Sequence, residues 1–188
     1  MKRTFKGLFS WMLVICLMMG FFVVTAGAAG GTVVTDEENK TITLDNVALT
    51  ETLVVQDGWK VIVNGDCSIA VSEGNAIEST GSVSIEGTGK LTLTGDHGVW
   101  AASVSIKDID VNIDVLGYGV YASNENGDAI ISLTNVDGYI AGDWSGVRIY
   151  AVKDESNASV TVDNCNLKVE SHRASGYHSL CMYSGINV

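Results

Sequence analysis

The chain has 188 residues, no proline, and 11 Lys and Arg against 22 Asp and Glu, a net charge of −11. That acidic excess repels phosphate backbones and speaks against a nucleic-acid partner. The length suits one domain.

Residues 1–28 read as a secretory signal peptide. Lys2, Arg3 and Lys6 form a basic start, an apolar run follows from Leu8 to Val24, and Thr25-Ala26-Gly27-Ala28 supplies the small residues of a cleavage site. An uncleaved membrane anchor is the alternative, with an apolar run near the short limit for a span. Removal of the leader takes away three bases and no acid, so the mature chain holds 8 bases against 22 acids, a net −14. The mature protein is thus expected outside the cell, secreted or at the cell surface, without stable membrane insertion. It keeps Cys67, Cys165 and Cys181, an odd number that forms no disulfide framework.

Residues 29–39 read as an N-terminal linker and 40–188 as one repeat domain, with a C-terminal end that resembles another strand beginning. Short alternating runs of β-branched residues recur along it: Thr41-Ile42-Thr43-Leu44, Leu91-Thr92-Leu93-Thr94, Val111-Asn112-Ile113-Asp114. Period-two alternation reads as strand. Ser82-Val83-Ser84-Ile85 returns as Ser103-Val104-Ser105-Ile106, more loosely as Ile130-Ile131-Ser132-Leu133, and again as Ser159-Val160-Thr161-Val162. A third short strand closes each unit, at Ala76-Ile77, Gly98-Val99, Gly119-Val120 and Gly146-Val147, with spacings of 22, 21 and 27 between Ala76, Gly98, Gly119 and Gly146. Three strands per unit of that length make the coil of an all-β, right-handed parallel β-helix, here of five to six coils. An antiparallel sandwich is the competing fold. Its tight hairpin turns do not recur at the repeat spacing.

The register predicts inward columns of Val83, Val104 and Val160; of Ile85, Ile106, Leu133 and Val162; of Thr88, Ile109, Val136 and Cys165; and of Ile77, Val99, Val120 and Val147. Burying one such side chain stabilises by about 1.5–3 kcal/mol, so a column of four decides a fold. The stretches Asp137–Gly146 and Asp154–Ala158 read as insertions that lengthen the later coils.

These repeats resemble the secreted bacterial parallel β-helix proteins of the carbohydrate-binding domain-containing type. The likeness rests on Ser82-Val83-Ser84-Ile85-Glu86-Gly87-Thr88-Gly89-Lys90-Leu91-Thr92-Leu93-Thr94-Gly95 and on the paired Gly98-Val99-Trp100-Ala101 and Gly119-Val120-Tyr121-Ala122. It covers roughly residues 40–170, by the repeat reading. The resemblance implies a non-catalytic protein that binds polysaccharide or a cell-surface glycan, and calcium-dependent binding of acidic plant polysaccharide is an activity known in that family.

Strand alternation points Trp100, Tyr121 and Arg148 outward, with Glu78 one coil earlier. Stacked coils would set Trp100 and Tyr121 as one flat aromatic strip, a surface that suits the apolar faces of sugar rings. Cross-strand packing that only stabilises the sheet is the alternative. His97 and Tyr118 fall in the adjacent corner column. Asp108, Asp110 and Asp114 share one coil and offer oxygens to calcium; a solvated acidic face is the alternative.

The enzyme alternative is a pectin-cleaving lyase or hydrolase of the same fold. Asp96-His97-Gly98 and Arg148-Ile149-Tyr150 echo the elements of such hydrolases, but their upstream Asn-Thr-Asp and Asp-Asp elements have no match here. A structural surface protein or adhesin without sugar binding is the third reading.

Overall fold

The computed structural model describes residues 22–26, 31–153, 155–173 and 178–183. It is all-β, a stack of parallel coils forming a β-solenoid of about four turns. Each coil contributes one strand to each of three faces. The first face carries β3 (Thr41–Asp45), which follows two N-terminal strands, β1 (Phe22–Ala26) and β2 (Gly31–Asp36). The second and third faces begin with two-residue strands, β4 (Ala48–Leu49) and β5 (Leu53–Val54). The next coil is β6 (Trp59–Asn64), β7 (Asp66–Ala70) and β8 (Asn75–Glu78), and the one after it is β9 (Ser82–Gly87), β10 (Lys90–Thr94) and β11 (His97–Ala101).

In the following two coils the first and second faces merge into single long strands, β12 (Ser103–Val115) and β14 (Ala129–Gly142), with β13 (Tyr118–Asn124) and β15 (Ser145–Ala151) as third faces. The last rung is β16 (Ala158–Asp163), β17 (Asn166–Ser171) and β18 (Leu180–Tyr183). Each face therefore has six rungs. The expected five to six coils reduce to about four full turns because the first and last rungs are incomplete.

Every rung-to-rung pairing is parallel, which rules out the sandwich. Among the described residues antiparallel pairing occurs only at the N-terminal end, where β2 pairs with β3 on one edge and β1 on the other. The segment read as a linker therefore contains a strand. Thr32-Val33-Val34-Thr35 is β-branched throughout, and Val33 packs against the core.

Two columns of the first face form in the expected register, and point into the core except at the last rung, where Val162 is exposed. Val83, Val104 and Val160 are in register with Ile131, and Ile85, Ile106, Leu133 and Val162 are in register with one another. Ile77, Val99, Val120 and Val147 also stack, and all four are buried. Ile109, Val136 and Cys165 share a column. Thr88 does not join it and is exposed. Three residues separate Glu86 from Lys90 where two separate Lys107 from Asp110, so the extra residue swings Thr88 outward.

The corner between the first and second faces recurs with a left-handed residue. Asn46, Asp108, Asn135 and Asn164 all have φ between 48° and 53°, and Gly65 has φ 66°. Asn and Asp are the non-glycine residues that tolerate this region. Their side chains also join successive coils. Asn164 Nδ2 donates to Asn135 Oδ1 and Asn135 Nδ2 to Asp108 Oδ1, both at 2.6 Å.

Asp137–Gly146 is not an insertion. Asp137 to Gly142 pairs residue for residue with Asp110 to Val115. The extra length lies at residues 125–128, between β13 and β14. Cys67 is buried, Cys165 and Cys181 are half-buried, and all three are free thiols. Burial pushes the Cys67 thiol up from its ordinary value. Among the described residues no helix is long and apolar enough to cross a membrane.

Candidate functional site

The third face carries the candidate site. Alternation along each short strand sends one residue into the core and the next outward. Val99, Val120 and Val147 point in. Their successors Trp100, Tyr121 and Arg148 lie in one outward column with Glu78, as expected. His97 and Tyr118 occupy the neighbouring corner column, with Asn75 before them and Ser145 after.

The rings do not form a flat strip. Trp100 and Tyr121 meet edge to face, with centroids 4.2 Å apart and planes at 64°. Tyr121 is only 8% exposed. It lies against Tyr118, whose ring stacks on it at 5.0 Å. Tyr118 in turn stacks on His97 at 5.3 Å and 17°. A ladder of bulky side chains at about 4.8 Å spacing leaves no room for large rings to lie flat side by side, so they tilt and bury one another. Tyr121 is thus a base on which the outer rings rest.

Trp144 is the member that the sequence reading did not single out. It sits in the two-residue corner between β14 and β15, is 37% exposed, and packs against Tyr118 at 5.1 Å and His97 at 5.8 Å. The corner pattern held the signal. His97, Tyr118 and Ser145 open successive third-face strands, so the residue before Ser145 falls beside the rings. Reading Asp137–Gly146 as an insertion hid it.

His97 is held by its surroundings. Its Nδ1 accepts the Tyr118 backbone N–H at 3.0 Å, so that nitrogen carries no proton. Its ring lies over Gly117, where a Cβ would come within 2.2 Å of Cε1. Burial lowers the His97 pKa from 6.5, and the nearby Asp96 carboxylate acts the other way. A neutral imidazole at neutral pH follows, fitted for hydrogen bonding and packing.

Arg148 is half-buried. Its guanidinium lies 4.8 Å from the Tyr118 ring centroid, and Nη1 donates to the Tyr118 hydroxyl at 2.8 Å. Glu78 accepts from Asn75 Nδ2 at 3.0 Å. The face therefore combines apolar ring surface, a cation and carboxylates within one patch.

The three aspartates considered for calcium are not brought together. Asp108 turns into the corner ladder, where the hydrogen bond from Asn135 lowers its pKa. Asp110 and Asp114 are exposed on the second face, four residues apart on one strand, which separates them by roughly 13 Å. Asp114 instead faces His172 Nε2 at 3.7 Å. Among the described residues no group of three or more His, Cys, Asp and Glu is arranged to hold a metal ion.

A second polar group lies across the corner from Trp144. The Tyr139 hydroxyl donates to Glu170 and is 3.0 Å from His172 Nε2, while His172 Nδ1 is 3.4 Å from Asp143. The Glu170 carboxylate holds the Tyr139 proton and pushes its pKa up to about 12.

No protein-family model, no curated protein and no solved structure matches this chain. The fold and the site define its class: a parallel β-solenoid with a self-packed aromatic ladder on one face.

Proposed function

We propose that this is an exported, non-catalytic protein that binds polysaccharide at or near the cell surface through its third face. The observation that carries the reading is the concentration of rings there. Trp100, Tyr118, Tyr121, Trp144 and His97 cluster on β11, β13 and the adjoining corner, with Arg148 and Glu78 in the same column. Trp144 and the accessible edges of Trp100 and Tyr118 are the contact surface, Tyr121 supports them, and Arg148, Glu78 and His97 offer hydrogen bonds to hydroxyls. Asp108, at a corner, and Asp110 and Asp114, on the second face, lie apart from this surface, so the reading is built on the rings and not on a calcium site.

The burial of Tyr121 favours a second reading, in which the rings only brace the sheet and the protein is a structural surface protein or adhesin. Retention on gel-embedded polysaccharides, run with calcium and with chelator, separates the two. The expected result is retention on at least one glycan, unchanged by chelator. Trp144→Ala should weaken it by about 2- to 12-fold, the equivalent of about 0.5–1.5 kcal/mol for one aromatic contact. Absence of retention on every glycan, or full retention by Trp144→Ala, would overturn the assignment.

A further inference from the structure

We infer that His172 is a positioning residue for the ring patch: its charged form ties the Asp143-Trp144 corner to the last rung, so the setting of Trp144 depends on pH. As a statement about glycan retention this rests on the polysaccharide reading; as a statement about the corner it does not.

The His172 ring lies among groups from several rungs. Asp114, near the end of β12, is 3.7 Å from Nε2. The Tyr139 hydroxyl of β14 is 3.0 Å from the same nitrogen, and Asp143 is 3.4 Å from Nδ1. Its own rung adds Glu170, paired with Lys168 at 2.7 Å, and Arg173, which lies 4.0 Å from Asp143.

A count of protons decides which form of the ring fits. The Tyr139 hydroxyl gives its only proton to Glu170, so it offers a lone pair to Nε2. Asp114 and Asp143 offer lone pairs alone. Both ring nitrogens therefore face acceptors. A neutral imidazole has one N–H and must turn the lone pair of its other nitrogen toward an oxygen, whereas the imidazolium donates on both sides. The carboxylates of Asp114, Asp143 and Glu170 attract that charge, and the Lys168 ammonium and Arg173 guanidinium repel it.

The corner so held is the two-residue link between β14 and β15. Backbone bonds fix it to the preceding coil, from the Asp143 N–H to the Val115 carbonyl at 3.2 Å and from the Trp144 N–H to the Gly117 carbonyl at 3.0 Å. The last rung grips it through Ser171 Oγ, which donates to the Asp143 carbonyl at 3.0 Å, and through the Asp143 carboxylate, which His172 and Arg173 share. Loss of the His172 proton turns a lone pair toward Asp143 or Tyr139 and slackens the grip beside Trp144.

The test follows the purified protein from about pH 8 to about pH 5.5, across the range in which imidazole gains its charge. NMR reads the His172 ring and the Trp144 indole N–H, and retention on gel-embedded glycan is measured alongside. In the native protein the Trp144 resonance should move in step with the His172 ring. Retention should rise toward acid by about 1.5- to 5-fold, the scale of one exposed ion pair. His172→Gln should remove that component from both readouts. His97 also lies beside Trp144 and is present in both proteins, so the difference between them isolates His172. His172→Arg, a permanent cation, should hold Trp144 near its acid position throughout. Far-UV circular dichroism checks that each variant keeps the fold. A Trp144 resonance indifferent to His172, or a pH profile unchanged by His172→Gln, would sink the inference. If the native protein is retained on no glycan, the polysaccharide reading fails and the Trp144 resonance alone decides the corner.

Discussion

The inward columns of the first face and the outward column of the third face differ in how their neighbours constrain them. Along the inward column Ile85, Ile106 and Leu133 are shut off from solvent, and each sits directly over the last. Along the outward column Glu78, Trp100, Tyr121 and Arg148 have the same rung spacing but tilt, stack and reach sideways to Tyr118. Inside, the coil walls dictate size and direction. Outside, the register settles which residues are neighbours, and ring shape settles how they lie.

The sharpest way to test this difference is a pair of truncations in one column. Ile106→Ala should destabilise by about 2–5 kcal/mol in denaturant unfolding, because it leaves a hole between two filled rungs. Val162→Ala, two rungs along the same column, should cost less than about 1 kcal/mol, because Val162 is 58% exposed. Equal losses would mean that the stack does not transmit burial rung by rung.

The outward column predicts a smaller contrast. Tyr121→Ala should cost about 2–3 kcal/mol of stability, close to a core truncation, whereas Trp144→Ala should change stability by less than about 0.5 kcal/mol. Tyr121→Ala is therefore a test of folding and Trp144→Ala a test of surface. The reverse order would place Tyr121 in the contact surface after all.

The smallest effect is on pH dependence. The folded-state pKa of His97 is depressed below 6.5, so the unfolded chain takes up its proton first as the pH falls. The stabilisation is complete above pH 6.5 and is lost as the pH drops through the folded value. Protonating Nδ1 also costs the bond from the Tyr118 N–H. Unfolding midpoints measured between neutral and mildly acidic pH should fall more for the native protein than for His97→Asn, which has no titrating group at this site. Identical slopes would remove His97 from the account.

Much of this architecture was legible in the sequence because the interior is repetitive. Recurrence of Ser-Val-Ser-Ile and of Gly-Val at coil spacing located the faces, and alternation then assigned inward and outward residues correctly from Glu78 through Arg148. Trp144 was hidden inside the stretch read as an insertion, and Thr88 was misplaced for a physical reason. Corner length varies while strand register does not, so counting through a corner shifts a residue off its column. Burial of Tyr121 was not legible, since alternation gives direction and says nothing of how much surface the neighbouring rings cover. The strand within residues 29–39 was missed because Thr32-Val33-Val34-Thr35 lacks the period-two alternation of the repeats.

The corners also show how such a chain can change. Between the first and second faces the connections are never longer than two residues and keep Asn, Asp or Gly at the left-handed position. Between the third face and the next coil they run from one residue, Ala102, to four at 125–128 and six at 152–157. One edge of the solenoid thus works as a spine and another as a margin open to growth. Mutation can lengthen that margin and present new chemistry beside the aromatic face without altering a single interior column.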